Sequence, residues 1–187
     1  MAMGSPPTPS ERDKNDPGET ARLFVALWPE AALASALHAR CGVCAPDPSA
    51  RVVTPQRVHL TLHFLGNVPR QRLPALVTAL HVPFQPFELR FSHCEQWPHG
   101  LRVVVPDTAV PPLTQLHAAL GEALQGLGLP VEQRPFRPHL TLARRTTAPL
   151  PAPNGPALRW PVSGYVLVES QASPPGAYKV VQAYGRT

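Results

Sequence analysis

One four-residue block occurs twice in this chain. His59-Leu60-Thr61-Leu62 recurs as His139-Leu140-Thr141-Leu142, 80 positions further on. In a chain of 187 residues that offset is close to half of the length left after a polar N-terminal stretch. Self-similarity at such a spacing points to a duplicated structural unit. Both copies alternate apolar and polar residues, the pattern of a half-buried strand. Successive side chains of a strand point to opposite faces, so His59 and Thr61 share one face and Leu60 and Leu62 the other. The same holds for His139, Thr141, Leu140 and Leu142. The leucine faces can enter a core. The histidine–threonine faces cannot, unless each imidazole and hydroxyl finds a partner.

Two such faces brought together carry a definite chemistry. A pair of imidazoles flanking one site can act as general base and general acid in a single displacement. Unperturbed histidine titrates near pH 6.5, so both protonation states are accessible at neutral pH. Two threonine hydroxyls can donate to the non-bridging oxygens of a phosphate and stabilise charge as it develops. No carboxylate stands beside either block, and this chemistry needs neither a metal nor another cofactor. His59 and His139 as zinc ligands would lack the usual third and fourth partners, and threonine is a poor substitute. The plain structural explanation is two buried, hydrogen-bonded histidines on matching strands. Repetition of the whole block, threonine included, favours a shared site.

The charge agrees with an anionic partner without naming one. Seventeen basic residues against 12 acidic ones give a net charge of +5. Residues 1–20 carry a net −2, so the remainder carries +7. Only Lys14 and Lys179 are lysines; the other basic residues are arginines, which suit bidentate phosphate binding. Genomic base composition produces the same bias. Arg134, Arg137, Arg144 and Arg145 form an acid-free cluster around the second block. Residues 1–20 have no hydrophobic periodicity and read as a disordered tail, leaving residues 21–187 as one domain. No apolar run reaches the roughly 20 residues of a membrane-spanning helix. The N-terminus lacks the apolar centre of a signal peptide. A cytoplasmic protein is the resulting expectation. Cys41 and Cys44 form a lone C-x-x-C near the end of a helical run, without a second pair to complete a zinc site. With Cys94 they are expected to be reduced thiols.

A coarse pass finds strands at residues 22–28, 58–65, 87–91, 101–105, 139–143, 162–169 and 177–183. The strand at 58–65 is expected to stop at Gly66-Asn67. Strands 87–91 and 101–105 look like a pair joined across residues 97–100. Helical spacing covers residues 29–40, 69–80 and a stretch from Pro112 that ends at Gly126 and Gly128. A turn, residues 173–176, separates the last two strands. The mixture points to an α+β or α/β two-layer fold. Most of the 26 prolines fall between these elements, including a cluster at residues 149–156, where they remove no ladder hydrogen bonds.

Longer matches surround both blocks. They are Arg22-Leu-Phe-Val-Ala-Leu, Val58-His-Leu-Thr-Leu-His-Phe-Leu-Gly66, Phe136-Arg-Pro-His-Leu-Thr-Leu-Ala-Arg144, Leu167-Val-Glu-Ser170 and Pro175-Gly-Ala-Tyr178. With them the chain resembles the two-histidine (2H) phosphoesterases over nearly all of residues 22–184. More closely, it is similar to the bacterial and archaeal RNA 2′,3′-cyclic phosphodiesterases, historically called 2′-5′ RNA ligases. The resemblance implies an α+β fold of two pseudo-symmetric lobes with antiparallel sheets around a central cleft and helices outside. It implies hydrolysis of an RNA or nucleotide 2′,3′-cyclic phosphate to a 2′-phosphate. In that reading Thr61 and Thr141 hold the phosphate, His139 takes a proton from water and His59 gives one to O3′. Run backwards with a 5′-hydroxyl RNA end, the same site would join strands 2′-5′. The sequence itself is symmetric as to which histidine is base and which is acid.

Arg144 matches the family's arginine near the phosphate or nucleotide. Strict alternation turns it away from His139, so either the strand ends or bulges before it, or Arg144 is a surface residue. Tyr178 and Arg137 are further substrate-binding candidates. Arg134 and Arg145 can guide an RNA backbone. His63 shares the face of His59 and Thr61 and is expected to line the cleft, in hydrogen-bonded support rather than in catalysis; Phe64 is expected in the core, the alternative being an aromatic near the cleft that stacks a base. His81, His93, His99 and His117 have no motif around them. No metal, no cofactor and no membrane contact are expected, and the chain reads as a monomer acting on RNA ends or nucleotides. The alternative is an RNA- or nucleotide-binding module that keeps the fold without turnover.

Overall fold

The computed structural model describes residues 19–42, 47, 49–150, 152, 155–171 and 177–185. The sequence-based expectations for the tail before Glu19, for Cys44, for the turn at residues 173–176 and for part of the proline cluster lie outside the described residues.

The chain forms a mixed α+β structure with antiparallel sheets. β1 (Thr20–Leu27) leads to α1 (Ala31–Arg40), a short β2 (Arg51–Val52) and β3 (Leu60–Pro69). α2 (Leu73–Ala79) follows, then β4 (Phe87–Phe91), β5 (Cys94–Trp97), β6 (Leu101–Val104) and α3 (Pro111–Gly126). β7 (Leu140–Arg144), β8 (Leu158–Val162), β9 (Gly164–Gln171) and β10 (Ala177–Gly185) complete the chain. The main sheet has eight strands in the order β10-β9-β1-β3-β7-β6-β5, with β2 paired to β7. β4 and β8 form a separate two-stranded sheet. Among the described residues no helix is long and apolar enough to cross a membrane.

Several boundaries differ from the sequence reading. β1 begins at Thr20, within the stretch read as a tail, and Glu19 accepts a hydrogen bond from Arg70 Nε at 2.9 Å. The pairing read between residues 87–91 and 101–105 does not form. β4 pairs with β8, and β6 pairs with β5, a strand the sequence reading passed over. β5 and β8, neither of them read from the sequence, are short and broken by polar or proline residues, so periodicity had little to register. The cysteine expectation is also corrected: Cys41 and Cys94 are joined by a disulfide, with Cα atoms 5.7 Å apart. The fold carries the end of α1 to the start of β5, a juxtaposition that no local spacing encodes.

β1 shows why this sheet has two covered faces. Ala21, Leu23, Val25 and Leu27 are buried in the main core with residues of all three helices, among them Leu37, Leu76 and Leu120. Phe24 and Ala26 point the other way and form a smaller cluster with Val168, against which Trp28, Val166 and Tyr178 pack. That second face also carries the repeated histidine–threonine pairs.

β3 and β7 meet at one residue pair, Leu60↔Leu140. Both leucines are fully buried. By alternation, the residues on either side of them, His59, Thr61, His139 and Thr141, all point to the opposite face. The antiparallel sense sets His59 on the Thr141 side of this seam and Thr61 on the His139 side.

Neither strand then alternates regularly. In β3, Thr61 pairs with Ala26 and His63 with Val25, so Leu62 is an extra residue, and Leu65 is another. In β7, Thr141 pairs with Val103 and Ala143 with Arg102, so Leu142 is extra. These are β-bulges, and each reverses the inside–outside phase of the residues after it. Gly66, with φ +71°, takes the left-handed conformation that suits it to the second bulge of β3. Thus β3 does not stop at Gly66 as expected but continues to Pro69.

Candidate active site

The two repeated blocks build two similar half-sites. His59 Nδ1 lies 2.7 Å from the carbonyl oxygen of Arg57, and His139 Nδ1 lies 2.8 Å from that of Arg137. A carbonyl only accepts, so each Nδ1 carries the proton and donates it. Each neutral ring therefore leaves Nε2 unprotonated. Each ring also lies against a tryptophan: Trp28 stacks on His59 with centroids 5.0 Å apart, and Trp97 is 4.6 Å from His139. Each upstream arginine covers an aromatic ring, Arg57 over Tyr178 at 5.2 Å and Arg137 over Trp97 at 4.4 Å. Tyr178 completes the His59 side edge-on, 5.5 Å from the imidazole.

Burial pushes both imidazoles below their ordinary pKa, because it disfavours the charged ring. The hydrogen bond to the backbone carbonyl opposes this in each case. Positive charge on Arg57, Arg144 and His139 lowers His59 further, and Arg137 and Arg144 lower His139. Arg144 thus bears on both rings. The bulge at Leu142 is what turns it toward them: two residues, Leu142 and Ala143, face the core in succession, and Arg144 emerges on the face of Thr141.

The equivalent bulge in β3 overturns two expectations. His63 is not on the His59 face; it is 4% exposed and its Nε2 lies 2.8 Å from the carbonyl of His117. Its ring stacks on His117 at 4.1 Å, and His117 stacks on Phe136 at 3.9 Å. Phe64 is not in the core; it is 54% exposed on the histidine–threonine face, with Arg22 over its ring at 5.1 Å. Of the other arginines, Arg134 pairs with Glu132 at 2.6 Å on the open surface, and Arg145 occupies the turn after β7 with φ 58°. Among the described residues, no group of three or more His, Cys, Asp or Glu is arranged to hold a metal ion.

Sequence reasoning missed Arg57, Trp28 and Trp97. Arg57 was available: it precedes His59 by two residues as Arg137 precedes His139, so the repeat is Arg-x-His-Leu-Thr-Leu. The tryptophans carry no such signal, since only the folded sheet brings them to the histidines.

Residues 28–173 match the family model described as the 2′-5′ RNA ligase superfamily. The chain belongs to this superfamily. Within the 2′-5′ RNA ligase superfamily, the chain is 32% identical over 180 residues to an RNA 2′,3′-cyclic phosphodiesterase of Thermus thermophilus, covering 87% of this chain and 89% of that one. It is 33% identical over 146 residues to the enzyme of the same name from Escherichia coli, covering 76% and 81%. The fold matches the crystal structure of Escherichia coli LigT complexed with 3′-AMP, with a TM-score of 0.79 and 26% identity over 90% of this chain and 99% of that chain. The superfamily resemblance read from the sequence is therefore borne out across most of the chain.

Proposed function

We propose that this protein hydrolyses 2′,3′-cyclic phosphates on RNA ends or nucleotides to 2′-phosphates, without a metal ion. The reading rests above all on one arrangement. Through the Leu60↔Leu140 pair, two Nδ1-anchored imidazoles and two threonines share one face of the sheet. Its relatives named RNA 2′,3′-cyclic phosphodiesterase point the same way. In this reading the sheet halves β10-β9-β1-β3 and β7-β6-β5 are the two lobes, and the substrate lies in the cleft at their seam.

Thr61 and Thr141 donate hydrogen bonds to the non-bridging oxygens of the cyclic phosphate. Nε2 of His139 takes a proton from water as the water oxygen bonds to phosphorus. The P–O3′ bond breaks, and O3′ receives the proton held on Nε2 of protonated His59. The 2′-phosphomonoester remains. Base and acid are assigned here by the family resemblance, because the two half-sites are alike. With a 5′-hydroxyl RNA end in place of the attacking water, the same displacement joins strands 2′-5′.

The test is incubation of 2′,3′-cyclic AMP with the protein in EDTA, with separation of 2′-AMP from 3′-AMP. We expect 2′-AMP, with Thr61→Ala and Thr141→Ala each lowering kcat about 100-fold, the usual scale for losing one transition-state donor. Activity abolished by EDTA would contradict the proposal. Absence of turnover with retained nucleotide binding would leave the non-catalytic module.

The lowered pKa values give this reading a pH dependence. The active form has one neutral and one protonated imidazole. Both rings titrate below 6.5, so at pH 7 the doubly neutral form dominates the free protein. Acidification populates the active form until the second ring also protonates. Accordingly, kcat/KM, which reports the free enzyme, should rise as pH falls from 8 to 6 and decline only once both rings are protonated. A bound phosphodiester anion favours imidazolium, so the kcat profile should lie at higher pH. A kcat/KM that climbs steadily from pH 6 to pH 8 would contradict this assignment.

A further inference from the structure

The two half-sites match in their hydrogen bonds but not in the rings around them. Each Nδ1 is anchored on a carbonyl two residues upstream, at 2.7 Å for His59 and 2.8 Å for His139. Beside His59, Phe24, Trp28 and Tyr178 form a triangle of rings with centroids 5.3–6.5 Å apart. The imidazole caps this triangle, 5.0 Å from Phe24, 5.0 Å from Trp28 and 5.5 Å from Tyr178. It lies nearly parallel to the indole of Trp28, at 16°. Among the described residues His139 packs on one ring, Trp97, at 4.6 Å and tilted by 52°. That ring already carries the Arg137 guanidinium at 4.4 Å.

An aromatic face is negative and attracts a cation within about 6 Å, tryptophan most strongly. Of the rings beside His59, Tyr178 holds the Arg57 guanidinium at 5.2 Å, while the face of Trp28 meets the imidazole itself. Trp97, by contrast, is divided between Arg137 and His139. The charged and titratable groups against His59 are Arg57, Arg144, His139 and Tyr178; those against His139 are Arg137 and Arg144. Burial, the carbonyl anchor and the arginines each act on both rings in the same direction. The aromatic surroundings are what differ. We infer that Trp28, backed by Phe24, is a positioning residue that keeps the transferable proton on His59 rather than on His139. The neighbouring rings, not the imidazoles' own hydrogen bonds, then decide which histidine enters hydrolysis as acid. This deepens the proposed function and rests on it. A cation–π contact of this kind is worth about one pH unit to the imidazole that makes it.

The test titrates the imidazoles by NMR in wild type, Trp28→Leu and Trp28→Phe, and measures kcat/KM for 2′,3′-cyclic AMP over the same pH range. The two signals are identified by their loss in His59→Ala and His139→Ala. Wild-type His59 should titrate about one pH unit above His139. Trp28→Leu keeps an apolar cover but removes the negative face, so the His59 titration should fall by about one pH unit and that of His139 should not. At pH 8, above both titrations, the productive form scales with the proton affinity of His59, so kcat/KM should drop about ten-fold, against about two-fold near the optimum. Trp28→Phe should recover part of both changes. If leucine acts only by admitting water, burial is relieved and His59 titrates higher, which overturns the inference. An unmoved His59 titration, or an equal loss of kcat/KM at every pH, overturns it as well. Should Trp28→Leu fail to fold, a fluorinated tryptophan at position 28 keeps the shape and weakens the negative face. A His59 titration that falls with fluorination upholds the inference, and one that does not overturns it. If wild type hydrolyses nothing, the proposed function fails and the titrations alone judge Trp28.

Discussion

Replacing either His59 or His139 with alanine will lower kcat/KM for 2′,3′-cyclic AMP by about 10³–10⁴-fold, within the range that positioned proton transfer supplies. Each ring offers one free nitrogen, because Nδ1 is committed to the carbonyl of Arg57 or Arg137. The double variant should be little worse than either single one, since base and acid act in the same displacement and their losses do not add. The fold should survive, because each imidazole lies at the sheet surface rather than in the main core. Equal thermal melting of variants and wild type would establish this. A single variant that keeps a tenth of the wild-type rate would remove that histidine from the mechanism.

The largest expected effect on stability belongs to Arg102, which is 2% exposed. Its Nε donates to Gln96 Oε1 at 3.3 Å, and Nη1 to the carbonyl of Cys41 at 3.2 Å. Nη2 donates to the carbonyls of Ala148 and Pro149. One guanidinium thus ties the end of α1, the loop after β7 and the β5–β6 hairpin. Its charge also lies at the carbonyl end of α1, where the helix dipole favours a cation. Arg102→Met fills similar space but leaves these acceptors without donors, at about 1–3 kcal/mol for each one that stays buried. We expect a total loss of about 3–5 kcal/mol. In a protein of this size that lowers Tm by about 10 °C. Arg102→Lys should recover only part, because an ammonium cannot span acceptors set for a planar fork. Below the melting transition kcat/KM should be near wild type. A melt shifted by less than about 2 °C, a small fraction of the expected change, would mean that the carbonyls find other donors.

The face carrying the candidate site was legible because it depends on parity over three residues. His59-Leu60-Thr61 and His139-Leu140-Thr141 each fit between irregularities, so simple alternation holds. It fails at the next residue. Leu62 and Leu142 look like ordinary strand leucines, and nothing in their identity announces the extra backbone unit. His63 and Phe64 were consequently assigned to the wrong faces, and Arg144 was left in conflict with its own strand. Contacts that close across long separations were also invisible. The Cys41–Cys94 disulfide and the approach of Trp28 and Trp97 to the histidines depend on strand order in the sheet, which local pattern does not encode. The pairing of β4 with β8 joins segments far apart in the chain and was lost for the same reason.

The seam at Leu60 and Leu140 bears on which changes in chain length this protein tolerates. Because the two halves of the sheet share one residue pair there, the phase of both motifs is set at a single point. A residue inserted into the connection between α2 and β4, or after α3, leaves that phase untouched. A single deletion between Arg57 and Thr61, or between Arg137 and Thr141, shifts one motif by one position and turns its imidazole and hydroxyl toward the core. The two leucines, chemically the most inert members of the repeat, therefore act as the frame marks of the site. Length variation should collect in the connections and be excluded from the two short windows around them.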